Sequence, residues 1–303
     1  MPSVLVTPRE HPDLDGVACA IAYAELLCAR ATPATPLLPG RPDAEACFVL
    51  EQVDPSRQPR LASGPSEWEG VVLVDMSGLR GLPAQVEPTE VIEVIDHRAH
   101  HEAERLFPNA RVQIELVGAA ATLVFERFMA AQVQPSRVSA TLLQAAIHSN
   151  TQRLAGSVTT PRDRSAAASL AELWPLPPIL VDEQFRARGT EILEDLDAAL
   201  RRETKTFDHP GGAFTITQLE CPSALGLAEA CTPGLRALGQ RALLNLVDPD
   251  LAASLLVASS DLFARWLFEQ TGLRFVEDRC QPPTPLLRKQ LVARIMETDD
   301  ETV

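Results

Sequence analysis

Short apolar runs that each end in a carboxylate constrain the fold of this chain most strongly. The runs VVLVD, ending at Asp75, and VIEVID, ending at Asp96, are too short for helices and are typical of buried strands. A strand from Ser3 to Thr7 precedes a loop with Asp13 and Asp15, and the Ala-rich stretch that follows is typical of a helix packed on a sheet. A buried parallel sheet tolerates charge only at its carboxyl edge. The alternation therefore predicts an α/β domain, with a parallel sheet, helices on both faces and right-handed crossovers.

The polar residues after these strands predict a metal site. If the strands are neighbours, Asp13, Asp15, Asp75, Asp96 and His97 converge in the crevice beyond the strand ends, where ligands bind in such folds. Several carboxylates and an imidazole repel one another there unless a cation is present, and hard oxygen and nitrogen ligands suit Mn²⁺ or Mg²⁺. We expect His97 to bind the metal, with Asp96 holding its ring from behind.

Each candidate also has an alternative structural role. Asp13 and Asp15 could cap the helix that starts near Gly16. Asp75 could begin a turn, and His97 could be a polar loop residue. Two further histidines, His100 and His101, fit an exposed surface better than chemistry, whereas for His11 contact with substrate and a plain loop position are equally good interpretations.

Composition limits the classes of protein to which this chain can belong. A length of 303 residues and 46% hydrophobic content suffice for two buried cores. The formal charge of −14 argues against nucleic acid or an anionic membrane as the main partner. Six cysteines without a CxxC pair are typical of reduced, mostly buried side chains. With no signal peptide and no long apolar stretch, we expect a soluble, cytoplasmic protein.

Prolines and charge patterns divide the chain into segments. They predict a first domain over 1–182, a linker helix over 183–204 and a second domain over 205–303. The second domain is predicted to start with an alternating strand, GAFTITQLE. Two helices are then predicted, around Thr232 to Leu246 and Ser259 to Gly272.

Taken in order, the motifs resemble those of the DHH phosphoesterase superfamily. The series comprises Asp-x-Asp at Asp13 and Asp15, a lone Asp75 after a strand, DHR at 96–98, VGAAAT at 117–122 and SNT at 149–151. It is most similar to the branch of family II, manganese-dependent inorganic pyrophosphatases and exopolyphosphatase/prune-like proteins. The similarity continues into the second domain, through ETKTF, ITQLE, VASSDLF and LLRKQLV.

The resemblance implies a fold, a cofactor and roles for individual residues. It implies a smaller C-terminal α/β domain with a mixed sheet, an active site in the cleft between the domains, and one or two ions of Mn²⁺, or of Mg²⁺ or Co²⁺. Together with the positions after strand ends, the resemblance implies a catalytic role for Asp75, His97 and Asp96. The implied metal ligands are Asp13, Asp15, Asp75, His97 and Asn150. The implied substrate-binding residues are Arg98, Lys205, Arg288, Lys289 and His11.

In the first domain, three positions depart from the pattern of this branch. Arg9 stands where the pyrophosphatases have a metal-binding His, and Arg98 replaces the second His of DHH, as in prune-like proteins. Asn150 stands where the branch usually has an Asp, and its neutral carbonyl oxygen is a poorer ligand for a hard cation. A second metal site is therefore expected to be weak.

Three functions follow from these observations. The first is hydrolysis of pyrophosphate or short-chain polyphosphate by a metal-activated water. The second is phosphoesterase activity on a nucleotide or another small phosphorylated metabolite. The third is a catalytically weakened homologue that binds phosphate or regulates. The expected partners are a small phosphorylated substrate and a possible second copy of the chain, with no nucleic acid and no membrane.

Overall fold

The chain consists of two compact units, and the border between them lies between Gln184 and Phe185, within one helix. The computed structural model describes residues 3–53, 68–98 and 101–297. Within those residues each unit contains one five-stranded sheet.

The sheet of the first unit is entirely parallel and has the order β2-β1-β3-β4-β5. The predicted strands around residues 3–7, 71–74 and 91–96 are confirmed, whereas the two edge strands were not predicted: β2, which lies within a Pro-rich stretch, and β5. The strands are β1 (Ser3–Thr7), β2 (Ala34–Pro36), β3 (Trp68–Val74), β4 (Val91–Asp96) and β5 (Arg111–Ile114).

Alternate side chains of these strands enter two different cores. Val6 and Val72 pack into the larger cluster with the helices of one face, while Leu5 and Leu73 pack with Phe107 on the other face. The predicted layers of helix, parallel sheet and helix are therefore confirmed. The helices that begin in this unit are α1 (Leu14–Ala29), α2 (Ala44–Val53), α3 (Ala103–Leu106), α4 (Ala120–Ala130), α5 (Arg137–Asn150), α6 (Pro161–Leu173) and α7 (Pro178–Glu194), the last crossing the border.

The second unit contains the mixed sheet that the family resemblance implies. Its order is β10-β9-β8-β7-β6, in which β7 and β8 are parallel and the other pairs are antiparallel. The strands are β6 (Thr204–Phe207), β7 (Phe214–Glu220), β8 (Ala242–Asp248), β9 (Ala253–Ala258) and β10 (Arg279–Cys280), and the helices are α8 (Leu196–Glu203), α9 (Ala228–Ala237), α10 (Asp261–Thr271) and α11 (Arg288–Glu297).

Two predictions for this half of the chain were wrong in detail. The helix expected around 232–246 ends at Ala237, because Gly239 adopts a φ of +113° and ALLNLVD is the fully buried strand β8. A short apolar run of this kind has no period that distinguishes a buried strand from a helix. The single linker helix over 183–204 is two helices, since Asp195 interrupts it and caps α8 through the backbone N–H of Ala198.

Among the described residues, none of the helices has the length and apolar character that a membrane crossing requires. Four of the six cysteine side chains are buried, in agreement with the prediction, whereas Cys28 is exposed and Cys47 is half-buried.

Candidate metal centre

Three neighbouring strands of the first sheet lead to one site. Strand β1 continues through a loop into α1, whose first turn contains Asp15; β3 is followed by Asp75; and β4 is followed by His97. Strands β1 and β3 are adjacent although β2 lies between them in sequence, so the chain reverses its direction of winding there. Such a switch point leaves a crevice beyond the carboxyl ends of the strands.

Three side chains in this crevice have the separation of metal ligands. One ligand atom from each of Asp15, Asp75 and His97 lies within 4.8 Å of the other two, and among the described residues this is the one acidic, histidine or cysteine group with such geometry. The His97 Nε2 lies 3.5 Å from Asp75 Oδ1 and 3.9 Å from Asp15 Oδ2. Two carboxylate oxygens and an imidazole nitrogen form a donor set that suits Mn²⁺.

Asp75 is buried and lies directly after the end of β3. Its backbone N–H donates to the Ile95 carbonyl at 2.8 Å, and its φ of +52° lies in the left-handed region. Asp adopts that conformation more readily than bulkier residues do. The turn thus ends the strand pairing at the residue whose carboxylate faces the other two ligands.

His97 is oriented by a backbone carbonyl rather than by Asp96. The His97 Nδ1 lies 2.9 Å from the Val117 carbonyl oxygen and donates to it, so Nε2 faces the carboxylates. The prediction that Asp96 holds the ring was wrong. Asp96 is fully buried and instead accepts the backbone N–H of His97 at 2.8 Å, because the residue directly before His97 reaches its backbone more easily than its ring.

Asp15 is held by the N-terminus of α4. Its Oδ2 accepts the N–H of Ala120 at 2.7 Å, and its Oδ1 accepts the N–H of Ala121 at 2.8 Å. The anion that these N–H groups of the VGAAAT segment bind is thus the carboxylate of Asp15. The positive end of the helix dipole stabilises that charge.

Burial and mutual repulsion change the pKa of each group. Burial and the charge of Asp75 raise the pKa of Asp15 to about 7. Burial and the charge of Asp13 likewise raise the pKa of Asp75. For His97, burial opposes protonation, but Asp75 and Asp15 raise its pKa to about 9. Without metal, a proton on this histidine therefore partly offsets the carboxylates, and a bound cation would replace it.

Asp13 lies outside the three-residue group and caps a helix. Its Oδ1 accepts the N–H of Gly16 at 3.1 Å at the start of α1, and its side chain also pairs with Arg9 at 3.5 Å. The alternative raised for Asp13 is thus correct as a structural role. For Asp15 the capping alternative was wrong, because its bonds to α4 are made to another helix.

Two positions that depart from the family pattern contact these carboxylates. Arg98 Nη1 donates to Asp96 Oδ2 at 2.6 Å and to the Asp75 carbonyl at 2.7 Å. Burial opposes the charged form, yet Asp75 and Asp96 raise the pKa of Arg98 far above its usual range. Asn150, at the end of α5, donates from Nδ2 to Asp15 Oδ2 at 2.6 Å. Its amide group was expected to bind a metal through oxygen, but a donor faces the site because a carboxylate lies opposite.

The remaining predicted residues lie away from this group or in the second unit. His11 is exposed, and its Nδ1 lies 3.4 Å from the Arg41 carbonyl. Lys205 lies on β6 and Lys289 in the first turn of α11, both with exposed side chains. Arg288 donates from its backbone to Gln218 and from Nη1 to the Glu203 carbonyl. His101 lies 3.4 Å from Glu104, in agreement with a surface role, and His100 lies outside the described residues.

Comparison with known proteins shows what the first unit is similar to. Residues 3–147 match the DHH family, N-terminal domain. A Streptococcus thermophilus relative named "Probable manganese-dependent inorganic pyrophosphatase" is 26% identical over 227 residues, which cover 72% of this chain and 71% of that protein. The Bacillus subtilis manganese-dependent inorganic pyrophosphatase is 32% identical over 177 residues, which cover 57% of this chain and 56% of that protein. The match thus spans only about half the length of the Bacillus protein.

A solved structure shares the fold over nearly the whole chain. A Methanococcus jannaschii protein described as a candidate family II inorganic pyrophosphatase superposes with a TM-score of 0.76 at 20% identity, covering 96% of this chain and 98% of that chain. The agreement extends over both units and confirms the predicted fold class, although identity at this level carries no information about substrate.

Proposed function

We propose that this protein hydrolyses a phosphoanhydride, either pyrophosphate or a short-chain polyphosphate, with a divalent cation as cofactor. The match of residues 3–147 to the DHH family, N-terminal domain, supports this proposal. The observation that carries the proposal is the convergence of Asp15, Asp75 and His97 within 4.8 Å. Mn²⁺ is the favoured ion, since relatives with matching sequence are named for it and the oxygen and nitrogen donors suit it. Mg²⁺ and Co²⁺ are the alternatives.

The donor set fits such an ion on grounds of charge. Asp15 and Asp75 are both buried, and burial together with neighbouring negative charge raises the pKa of each, so both carboxylates need a counter-charge when they are ionised. A divalent ion would be held by these two carboxylates and by His97 Nε2. When bound, it lowers the pKa of a water molecule and offsets negative charge on phosphoryl oxygens.

The side chains around the ligands supply rigidity and positive charge. The Val117 carbonyl fixes the ring of His97, and the α4 amides fix Asp15, so both ligands are oriented before a cation arrives. Arg98 is 40% exposed and can present its second amino group to a phosphoryl oxygen while Nη1 remains on Asp96.

The second unit is proposed to supply the remaining contacts to phosphate. Lys205, Arg288 and Lys289 belong to motifs that are similar to the phosphate-binding residues of the branch, and two of the three have exposed side chains. Their positive charge would offset that of a polyanionic substrate on a chain of formal charge −14. His11 has an exposed position compatible with a weaker, peripheral contact.

A substrate panel tests this proposal directly. Phosphate release is measured for pyrophosphate, tripolyphosphate and nucleoside mono- and triphosphates, with Mn²⁺ titrated into metal-free protein. We expect turnover of pyrophosphate or tripolyphosphate that rises with bound Mn²⁺ and is abolished by a chelator. Turnover of a nucleotide alone would favour the phosphoesterase function. Tight substrate binding without release would favour the regulatory function.

A pair of variants assigns the activity to the site. Asp75→Asn removes a ligand charge with little change in volume, and we expect a loss of turnover of at least about 100-fold, since even supporting residues of metal sites cost 10–100-fold. His101→Gln is the control, because this histidine lies at the surface and pairs with Glu104. Full activity in Asp75→Asn would refute the site.

A further inference from the structure

We propose that this site holds a single divalent cation, and that the guanidinium groups of Arg98 and Arg9 occupy the positions beside Asp75, Asp96 and Asp13 where a second cation would otherwise bind. This inference rests on the proposed function, which requires a metal at Asp15, Asp75 and His97. It goes further because it assigns to the two arginines a positive charge that stays in the metal site whether or not an ion is bound.

The contacts of Arg98 are those of a cation within a cluster of carboxylates, which consists of Asp13, Asp15, Asp75 and Asp96. Nη1 lies 2.6 Å from Asp96 Oδ2 and 2.7 Å from the Asp75 carbonyl oxygen, and Nη2 lies 3.8 Å from Asp75 Oδ1. Three oxygens from two residues therefore surround one guanidinium. His97 approaches the same Oδ1 of Asp75 at 3.5 Å. The same carboxylate oxygen of Asp75 therefore faces both His97 and Arg98.

Arg9 occupies a similar place beside the next carboxylate. Its Nη2 lies 3.5 Å from Asp13 Oδ2, and both side chains are partly exposed. Within the described residues, Arg9 Nε is buried and has no hydrogen-bond acceptor. The charged partner observed for this guanidinium is therefore Asp13.

The charges in the cluster balance with one divalent ion. Asp13, Asp15, Asp75 and Asp96 carry four negative charges, and the two guanidinium groups carry two positive ones. Two negative charges remain when His97 is neutral, which equals the charge of one Mn²⁺. A second divalent ion would give the cluster a net positive charge within a few ångströms of both arginines, and like charges at that distance repel strongly.

Asn150 supports the same count. Its Nδ2 donates to Asp15 Oδ2 at 2.6 Å, so the side chain opposite Asp15 adds a hydrogen-bond donor and no charge. A carboxylate in its place would repel Asp15 and would need a further cation. The three unusual positions, Arg9, Arg98 and Asn150, therefore all lower the number of metal ions that the centre requires.

The number of bound Mn²⁺ ions tests the inference without reference to activity. Metal-free protein is titrated with Mn²⁺ while free Mn²⁺ is measured by electron paramagnetic resonance. We expect one ion per chain in the wild type and two in the Arg9→Gln/Arg98→Gln double variant. Arg98→Lys keeps the positive charge and should remain at one. Arg80→Gln, which removes an exposed arginine nearby in the chain, should also remain at one.

Each result has a defined meaning. Two ions in the wild type, or one in the double variant, would overturn the inference and leave the proposed hydrolase function intact. No bound ion in the wild type would overturn both. Should the double variant fail to fold without metal, it is refolded in excess Mn²⁺ and the protein-bound metal is counted after gel filtration. Two ions per chain are again expected, and one would overturn the inference.

Discussion

The tripeptide Leu-Val-Asp marks the end of a buried strand in each of the two sheets, and the two aspartates have different surroundings. In the first unit it ends at Asp75, whose carboxylate lies among other charged groups. In the second it ends at Asp248, whose Oδ1 accepts the backbone N–H groups of Asp250 at 3.0 Å and Leu251 at 3.1 Å. Both aspartates are 2% exposed. Asp248 closes a turn, whereas Asp75 faces the charged groups of His97 and Arg98.

The difference extends to the polar interior of the two sheets. In the mixed sheet, buried Asn245 donates from Nδ2 to Gln218 at 2.9 Å and to the Leu286 carbonyl at 2.7 Å, so both N–H groups of this neutral amide are paired. In the parallel sheet, Asp15 and Asp75 are buried with raised pKa values. Buried neutral groups need hydrogen bonds, whereas buried like charges need a counter-charge from outside. Burial of an aspartate alone therefore does not indicate function; the charges around it do.

Replacing the two aspartates in parallel should have the largest effect and most directly tests this comparison. Asp75→Asn should reduce Mn²⁺ affinity and phosphate release by at least about 100-fold, because a charged ligand is lost. Asp248→Asn retains an oxygen that can accept the two turn N–H groups, so it should cost less than about 1 kcal/mol of stability and leave Mn²⁺ binding unchanged. Calorimetric titration and thermal melts measure both quantities.

Equal losses of Mn²⁺ affinity in the two variants would break the comparison. That result would mean that both changes act through folding and that the position of Asp75 has no special role. Melts at saturating and at zero Mn²⁺ separate these cases, because ligand-linked stabilisation disappears only where the site itself is damaged.

The two Leu-Val-Asp segments at strand ends also indicate how much the sequence alone predicts. The strand before Asp75 was predicted because polar residues bound it on both sides, and parallel strands then bring their carboxyl ends together. The strand before Asp248 was mistaken for the end of a helix, since apolar residues continue back through Ala242 to a helical segment. Gly239 was the available signal for the break.

Within the site, the residue types were predictable and their partners were not. The strand-end positions of Asp15, Asp75 and His97 follow from local patterns. The Val117 carbonyl that orients His97 and the Ala120 N–H that binds Asp15 are backbone groups, distant in sequence, which no residue type reveals. Their positions depend on how the loop before α4 packs against the sheet.

A change of pH should have the next largest effect on stability. The groups responsible lie beside the first sheet and not beside the second. Asp15 has a pKa of about 7 and His97 of about 9 in the folded protein, above their ordinary values of 3.8 and 6.5. The folded, metal-free protein therefore binds more protons than the unfolded chain across this range, so its stability falls as pH rises through the two folded values. We expect the Tm in chelator to decline from about pH 5 to about pH 9.

Mn²⁺ should act in the opposite direction. Its ligands must lose their protons to bind, so the increase in Tm on adding Mn²⁺ should grow over the same interval. Asp248→Asn should keep the wild-type slope, whereas Asp75→Asn should flatten it by removing a charge that raises the pKa of His97. A Tm in chelator that rises toward pH 9 would contradict the assigned charges.

Asn150→Asp sharpens the comparison, because it should make the stability of the first unit depend more strongly on bound Mn²⁺. The new carboxylate would face Asp15, whose Oδ2 now accepts the Asn150 amide at 2.6 Å. We expect a lower Tm in chelator, about tenfold tighter Mn²⁺ binding, in the range for residues that support metal ligands, and higher turnover at limiting Mn²⁺. Asn245→Asp in the second sheet is the matched change, and it should lower the Tm without any effect of Mn²⁺. Tighter Mn²⁺ binding in both variants would point to a nonspecific effect of net charge.

Replacing Asp13 should have the smallest effect. This residue both binds a backbone N–H group, as Asp248 does, and adds negative charge near the metal ligands, as Asp75 does. Its Oδ1 caps α1 through Gly16 N–H, as Asp248 closes its turn, while its charge raises the pKa of Asp75. Asp13→Ala should lose the cap, at a cost of about 0.5–2 kcal/mol, whereas Asp13→Asn should retain it because Asn is an equally good N-cap. Both variants remove one charge from the cluster, so both should weaken Mn²⁺ binding to the same modest extent, less than Asp75→Asn does. A loss of Mn²⁺ affinity as large as that of Asp75→Asn would instead indicate that Asp13 binds the ion directly. Arg9 would then have to leave Asp13, and the charge balance of the carboxylate cluster would no longer include its guanidinium.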